Sequence, residues 1–318
     1  MNPETLMQAV QFFSDPEICD AYMRRIKWPD GEVTCPHCDS ANVGTIASRH
    51  KLQCRDCRKQ SSYKVGTIFE DSPLPLHVWF VAIWAIANCK NGISSHELAR
   101  ATGITQKSAW FVLHRIRLAM QCESFDRFDG PAEADTTYVG GLARNMHKRT
   151  REKKITGRGA ANKTAIHAIV QRTTAAGPSQ VVPAVIGEES AVSVLREVRS
   201  HVVPGATVYT DETPAYSELC LTHVHSSVNH SERYVDGEIH IQAAENFWTL
   251  LKRALKGTYV AVSPFHLFRY AHEQAFRFNH RLQDDFGRFF QALSQIVGKR
   301  ITYRLLTAQD DAGFMGIE

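Results

Sequence analysis

The sequence has little that would carry it into a membrane. Its longest strongly apolar run, residues 78–87, is about half of the roughly 20 residues that a bilayer-crossing helix needs. The opening MNPETLMQAV has no basic start followed by an apolar stretch, so a secretory leader is not expected. An excess of one charge sign is also missing: 37 Lys and Arg face 33 Asp and Glu, a net charge of +4. The total therefore points to no acidic partner, and only the placement of charge along the chain can. Neither an internal repeat nor a low-complexity tract occurs, which excludes a solenoid and a long disordered linker. What is there is 318 residues, 43% hydrophobic and 22% charged, enough to bury cores and to hold a catalytic domain plus one or two small modules.

Eight cysteines without an export signal suit thiols kept reduced in a cytoplasm rather than disulfides. Four of them cluster as Cys35-Pro-His-Cys38 and Cys54-Arg-Asp-Cys57, with fifteen residues between the pairs. Each CxxC turn offers two sulfurs to one tetrahedral ion, so the spacing predicts a zinc ribbon holding one structural Zn²⁺. Four thiolates close the coordination shell and leave no open position for substrate. His37 is a substitute ligand that the spacing favours less than any of the four; redox thiols and buried free cysteines are the competing readings. Cys19, Cys89, Cys122 and Cys220 lack ligand spacing and read as small core residues. Arg55, Arg58 and Lys59 flank the second pair and could meet phosphate, although a solvated basic loop has the same composition.

Composition changes along the chain suggest a helical lead-in at 1–30, the ribbon at 31–68, a helical module at 72–124, a mixed region at 130–296 and a tail at 297–318. In the module, helices are expected over 75–88, 94–101 and 105–121, with a tight turn at Gly103, the pattern of a helix-turn-helix. In the third, Ala109, Leu113, Ile116 and Met120 make an inward stripe, leaving Gln106, Lys107, His114 and Arg115 outside. Recognition helices read bases from their first turns, so Gln106, Lys107 and Ser108 are candidate DNA contacts. The mixed region reads as strands over 132–139, 165–171, 181–186 and 207–210, with a helix at 189–199 before the fourth. Further helices follow at 244–255 and 264–281.

Three carboxylates stand out by their surroundings. Asp135 lies in a strand, Asp211 closes another, and Glu245 opens an amphipathic helix. If the first and fourth strands are parallel neighbours, a helix across them brings all three together. Crowded carboxylates repel unless cations occupy the site, and hard oxygen ligands favour Mg²⁺ or Mn²⁺. Two such ions support in-line attack on phosphorus by water or a 3′-hydroxyl. Glu133, Glu212, Asp236 and Glu238 are rivals that spacing does not separate from these three.

Taken together, Cys35–Cys57, Asp135-Thr-Thr-Tyr-Val-Gly-Gly141, Tyr209-Thr-Asp211, Glu245-Asn-Phe-Trp-Thr-Leu-Leu-Lys-Arg253, Gly257-Thr-Tyr, Ser263-Pro-Phe-His-Leu and Phe276-Arg-Phe-Asn-His-Arg281 resemble the ISXO-like, zinc-ribbon DDE transposases of bacterial insertion sequences. The resemblance runs from about residue 10 to 295. It implies an α+β fold: a ribonuclease-H-like, retroviral-integrase-type catalytic domain behind the zinc ribbon and helix-turn-helix-like module. It also implies cleavage and joining of DNA at element ends, with Asp135, Asp211 and Glu245 as the ligands of two Mg²⁺ or Mn²⁺ ions. Two positions depart from the family's usual pattern: Thr136 follows the first Asp, and Gln242 stands three residues before the Glu.

The expected partner is double-stranded DNA, both terminal inverted repeats and target, bound by a homodimer or larger assembly because two ends must be held at once. No membrane partner is expected. The densest basic stretch, 144–163, carries Arg144, Lys148, Arg149, Arg151, Lys153, Lys154, Arg158 and Lys163 against Glu152 alone, the makings of a phosphate clamp beside the cleft. Lys252, Arg253 and Lys256 follow Glu245 on its helix and could hold the scissile strand. A non-catalytic zinc-ribbon regulator and a hydrolytic nuclease of the same fold are the alternatives.

Overall fold

A computed structural model describes residues 2–121, 127–140, 148, 163–175, 177–228 and 239–308. The chain forms two compact units, Met1–Gln121 with His280–Ala308, and Cys122–Asn279 with Gln309–Glu318.

The first unit opens with α1 (Leu6–Phe13) and α2 (Pro16–Lys27). The expected lead-in is thus two helices, broken where Asp15 caps the second and Pro16 takes its first turn, the position at which a missing N–H costs nothing. A three-stranded antiparallel ribbon follows, β1 (Val43–Ile46), β2 (Lys51–Cys54) and β3 (Gln60–Ser62). Then come α3 (Leu76–Asn88), α4 (Ser95–Thr102) and α5 (Gln106–Ala119). Ser94 and Glu97 close a capping box on α4, Gly103 ends it in the left-handed region, and Thr105 caps α5. The expected helix-turn-helix chain path is therefore present, through the capping chemistry the sequence carries.

The exposure expected for α5 needs correcting. Ala109, Leu113, Ile116 and Met120 are buried as the stripe required, but His114 and Arg115 are buried too. Arg115 lies over the rings of Trp79 and Phe111 and donates to the carbonyl of Glu70. Helical periodicity identifies one apolar face; it does not reveal that neighbours cover the other. Only the first turn, with Gln106 and Lys107, is exposed. The unit's core is aromatic, Phe13 contacting Phe80 and Phe289 at ring separations of 5.1 and 4.9 Å. Phe289 lies on α9 (Asp285–Ser294), so residues beyond His280 belong to this unit, whereas sequence composition carried the mixed region on to 296. A short α10 (Tyr303–Thr307) closes the described chain.

The second unit is a sheet of five strands: β4 (Ala132–Val139), β5 (Thr164–Gln171), β6 (Gln180–Ile186), β7 (Thr207–Asp211) and β8 (Val224–Val228), in the order β6-β5-β4-β7-β8. The first three pair antiparallel, while β4–β7 and β7–β8 are parallel. The short strand β8 went unread in the sequence. On one face lie α6 (Ala191–His201) and the 3₁₀ segment Pro214–Leu221; on the other lie α7 (Gln242–Ala254) and α8 (Leu267–Asn279). Alternation along β5 sorts the two cores: Ala165 and Ile169 face α6, whereas Ile166, Ala168 and Val170 face α7 and α8.

The Phe-Arg-Phe-Asn block gains a structural role here. Asn279, ending α8, accepts from the Val181 N–H at 2.8 Å and donates to the Val181 carbonyl at 3.0 Å, standing in for a further strand at the β6 edge. Asn279→Ala leaves both groups of Val181 without that partner, so thermal unfolding should show a loss of about 1–3 kcal/mol.

Candidate active site

The four ribbon cysteines converge as their spacing requires. Their sulfurs all lie within 4.8 Å of one another, with Cys35 Sγ 3.7 Å from Cys57 Sγ and Cys38 Sγ 3.7 Å from Cys54 Sγ. A tetrahedral ion with bonds of about 2.3 Å to sulfur needs edges of roughly 3.8 Å, so the set fits a structural Zn²⁺. The His37 N–H points to Cys35 Sγ, and the Cys57 N–H to Cys54 Sγ. These N–H groups, aimed at the sulfurs, favour the thiolates that ligation needs. The residue after each pair, Asp39 and Arg58, takes a positive φ, which turns the chain away from the sulfurs. Arg55, Arg58 and Lys59 are exposed. Of the remaining cysteines only Cys19 is the buried core residue expected; Cys89 and Cys220 are exposed, and Cys122 lies outside the described residues.

In the second unit the β4–β7 ladder pairs Ala132 with Val208 and Glu133 with Tyr209. Carried two residues further, it sets Asp135 level with Asp211, and alternation points both to the face that α7 covers. The Trp248 indole on α7 donates to Asp135 Oδ2 at 2.8 Å, and the Thr136 N–H meets Oδ1 at 2.8 Å. Asp211 is held by Thr213, whose hydroxyl donates to Oδ2 at 2.7 Å and whose N–H approaches Oδ1 at 3.2 Å. Glu245 is exposed in the first turn of α7, one helical turn before Trp248 and so on the side from which the indole reaches Asp135.

Burial pushes the Asp135 carboxyl up to about 6, and the charges of Asp211 and Glu189 push the same way, against the hydrogen bonds from Trp248 and Thr136. No cationic side chain among the described residues pairs with Asp135, Asp211 or Glu245. Buried negative charge facing more negative charge suits a hard cation. The three carboxylates do not form a group with ligand atoms all within 4.8 Å, as the cysteines do. Ligands shared between two ions roughly 3.5–4 Å apart need a wider span than ligands of one.

Glu133, an open rival in the sequence, is fully buried and engaged. It accepts from the Ala243 and Ala244 N–H groups at 2.8 and 3.0 Å, at the start of α7, and pairs with Arg172 at 2.8 Å. A carboxylate at a helix N-terminus satisfies orphan N–H groups and the helix dipole together. Glu133 thus anchors the helix that carries Glu245. Arg172 also donates to the His240 carbonyl at 2.7 Å and stacks 4.0 Å over Tyr209. Sequence reading missed the Glu133–Arg172 anchor, Glu189 and the Trp248 hydrogen bond. The available signals were a charged residue two positions from Asp135 in the same strand, and Trp248 three positions after Glu245. Glu212 is exposed; Asp236 and Glu238 lie outside the described residues.

On the opposite face, Thr136 replaces the acid of the usual pattern and meets His167 Nδ1 at 3.1 Å, with the Tyr216 hydroxyl 3.4 Å from the same nitrogen. Burial lowers His167 to about 3, so the ring is neutral near pH 7. A histidine held neutral in the fold contributes stability that is intact above its unfolded value near 6.5 and lost as pH falls from there toward 3. Differential scanning calorimetry should show the second unit losing about 2 kcal/mol between pH 7 and 5, and His167→Gln should flatten that dependence.

Of the expected DNA-binding residues, Gln106, Lys107, Lys148, Arg253 and Lys256 are exposed and Lys252 is half-buried. Lys107 sits 4.8 Å over the Tyr303 ring, and Gln106 donates to Ser95 at 2.8 Å. Arg144, Arg149, Arg151, Lys153, Lys154 and Arg158 lie outside the described residues. No described helix is long and apolar enough to cross a membrane.

Comparison with known proteins bears on both centres. Residues 14–60 match the transposase zinc-ribbon domain, and residues 127–279 match the ISXO2-like transposase domain. A protein of Halobacterium salinarum described as an uncharacterized protein in transposable element ISH50 is 27% identical over 261 residues, covering 78% of this chain and 86% of its own. The two matched domains take in the four-sulfur cluster and the whole five-stranded sheet with α7 and α8. The chain belongs to the ISXO-like, zinc-ribbon transposases of insertion sequences.

Proposed function

We propose that this transposase cleaves the ends of its insertion sequence and joins them to target DNA, with Asp135, Asp211 and Glu245 holding two Mg²⁺ or Mn²⁺ ions. The observation that carries this reading is the pair Asp135 and Asp211 on adjacent parallel strands, facing a helix that bears Glu245. A ribonuclease-H-like assignment is supported by the strand order β6-β5-β4-β7-β8, with its antiparallel second strand. Bound there, the ions would activate the attacking oxygen and stabilise the leaving one.

The protein's own groups prepare that site. Trp248 and the Thr136 N–H fix the orientation of Asp135, Thr213 fixes Asp211, and Glu133 locks the start of α7. Lys252 and Arg253 lie beyond Glu245 on the same helix, where they would meet backbone phosphates. The exposed cations of the ribbon and the first turn of α5 would supply further positive charge for holding DNA. A dimer or larger assembly would hold the two ends.

The test incubates the full chain with end-labelled duplex carrying its element's terminal repeat, a target plasmid and Mg²⁺. Joined products are expected, and none with EDTA. Cleavage without joining would favour a hydrolytic nuclease, and binding without metal-dependent products a regulator.

A further inference from the structure

We propose that a cleft beside the C-terminal end of α7 seats one unpaired nucleotide of the DNA strand being processed, with Lys163, Lys252 and Lys256 holding its phosphates. The inference rests on the proposed function and adds where the substrate goes beyond the reacting phosphate.

The cleft, about 780 Å³ and lined by Tyr138, the three lysines, Val260 and Val262 among others, is of a size that takes a small organic ligand. Among the described residues no carboxylate lines it, and none of the three ammonium groups forms an ion pair. Such uncompensated positive charge calls for a phosphate or other anion. Valine walls add nothing for a bare phosphate, but they give a planar base somewhere to lie. Tyr138 borders the cleft, but strand alternation turns its ring to the opposite face of the sheet, where its hydroxyl donates to Glu189 at 2.7 Å.

The position follows from how α7 crosses the sheet. Ala243 and Ala244 meet Glu133, and Trp248 meets Asp135, so helix and strand advance in the same direction. Tyr138 lies three residues beyond Asp135, roughly 10 Å along the strand. Lys252 lies seven beyond Glu245, two helical turns or roughly 10 Å. Both steps end at the cleft, within about two nucleotides of the carboxylates.

The rim also has an unusual backbone. A π turn, Leu255–Tyr259, ends in Val260 at φ 58°, ψ −59°, a region a β-branched residue rarely enters, and the Val260 side chain is 79% exposed. Strain of this kind, next to a π turn, persists where the backbone has been shaped for a site. A stacked duplex offers an apolar wall only base edges. A base gains from the valines when it leaves the stack.

The experiment places 5-iododeoxyuridine at each of the last three positions of the element-end duplex and irradiates the complex with the full chain. The crosslink is expected in the peptide carrying Val260–Val262. The triple variant Lys163→Ala, Lys252→Ala, Lys256→Ala should reduce it at least tenfold. It should also lower the slope of log affinity against log salt by roughly 2 to 3, with an unchanged circular dichroism spectrum. Crosslinks confined to other peptides, or a variant that keeps both crosslink and slope, would overturn the proposal. So would loss of the crosslink to free deoxynucleotide at concentrations that leave duplex binding intact, which would assign the cleft to a free nucleotide. Asp135→Asn separates this inference from the proposed function. A protein with that change that still cleaves refutes the catalytic reading, wherever the crosslink lies.

Discussion

Cys54→Ser is expected to release the zinc and unfold the ribbon. Elemental analysis should find one zinc per wild-type chain and none in the variant. Structural zinc supplies roughly 10 kcal/mol or more of folding free energy to small modules of this kind. The ribbon's three strands have only four, four and three residues, too few to close a core unaided. Amide exchange over 43–62 should therefore approach the unprotected limit, and chelation of the wild type should reproduce it. Exchange in β4–β7 should not change, because those strands bury their own core against α6 and α7. Binding to element-end duplex should weaken with the loss of Arg55, Arg58 and Lys59 from a rigid frame. Zinc retained at full occupancy after Cys54→Ser would refute the ligand set.

The second large effect is lost chemistry with little loss of stability. Asp135→Asn, Asp211→Asn and Glu245→Gln should each lower cleavage and joining by a factor on the order of 10³ or more, with duplex affinity within a few-fold of wild type. For Asp135 one part of the stability change follows from its carboxyl, raised from 3.8 to about 6. A carboxyl with a raised folded value penalises the fold progressively as pH rises from 3.8 to 6, and fully above that. Asparagine removes that penalty of about 3 kcal/mol at pH 7.5 without divalent ions. Its NH2 cannot accept, so Trp248 and the Thr136 N–H are not both met, which offsets about 1–3 kcal/mol. The variant should therefore match or modestly exceed the wild type in stability. Mg²⁺ or Mn²⁺ should raise the melting temperature of the wild type and leave that of Asp135→Asn unmoved. A variant stabilised by Mn²⁺ as much as the wild type would separate Asp135 from any cation site. Because a proton and a cation compete for the same carboxylate, the Mg²⁺ concentration needed for half-maximal cleavage should rise as pH falls below about 6.

Much of this molecule can be read locally. The two CxxC pairs name a sulfur cluster without reference to the fold. The strands at 132–139, 165–171, 181–186 and 207–210 and the helix ahead of the fourth strand announce themselves by periodicity, and their observed ends differ by only one or two residues. Thr5, Asp15, Ser94, Thr105 and Ser190 cap helices through their own side chains, a signal contained within four residues. The missed strand β8 is five residues with the pattern of an exposed edge, and a segment that short carries too few apolar positions for its period to register.

The sequence by itself determined the sulfur set, the family blocks and the alternation within each strand, because each depends on neighbours in the chain. The pairing that sets Asp135 level with Asp211 came from the register of β4 with β7. Only the tertiary structure decided that Glu133 anchors α7 while Asp135 remains turned to the groove, although the two residues are close in the same strand. It also decided that Arg115 is sealed between aromatic rings and that Trp248 holds a carboxylate 113 residues away. Those outcomes depend on which strand lies beside which and on what covers a helix's second face. Both are set by long-range packing, where the free energy of closing a core over two sheet faces outweighs any local preference.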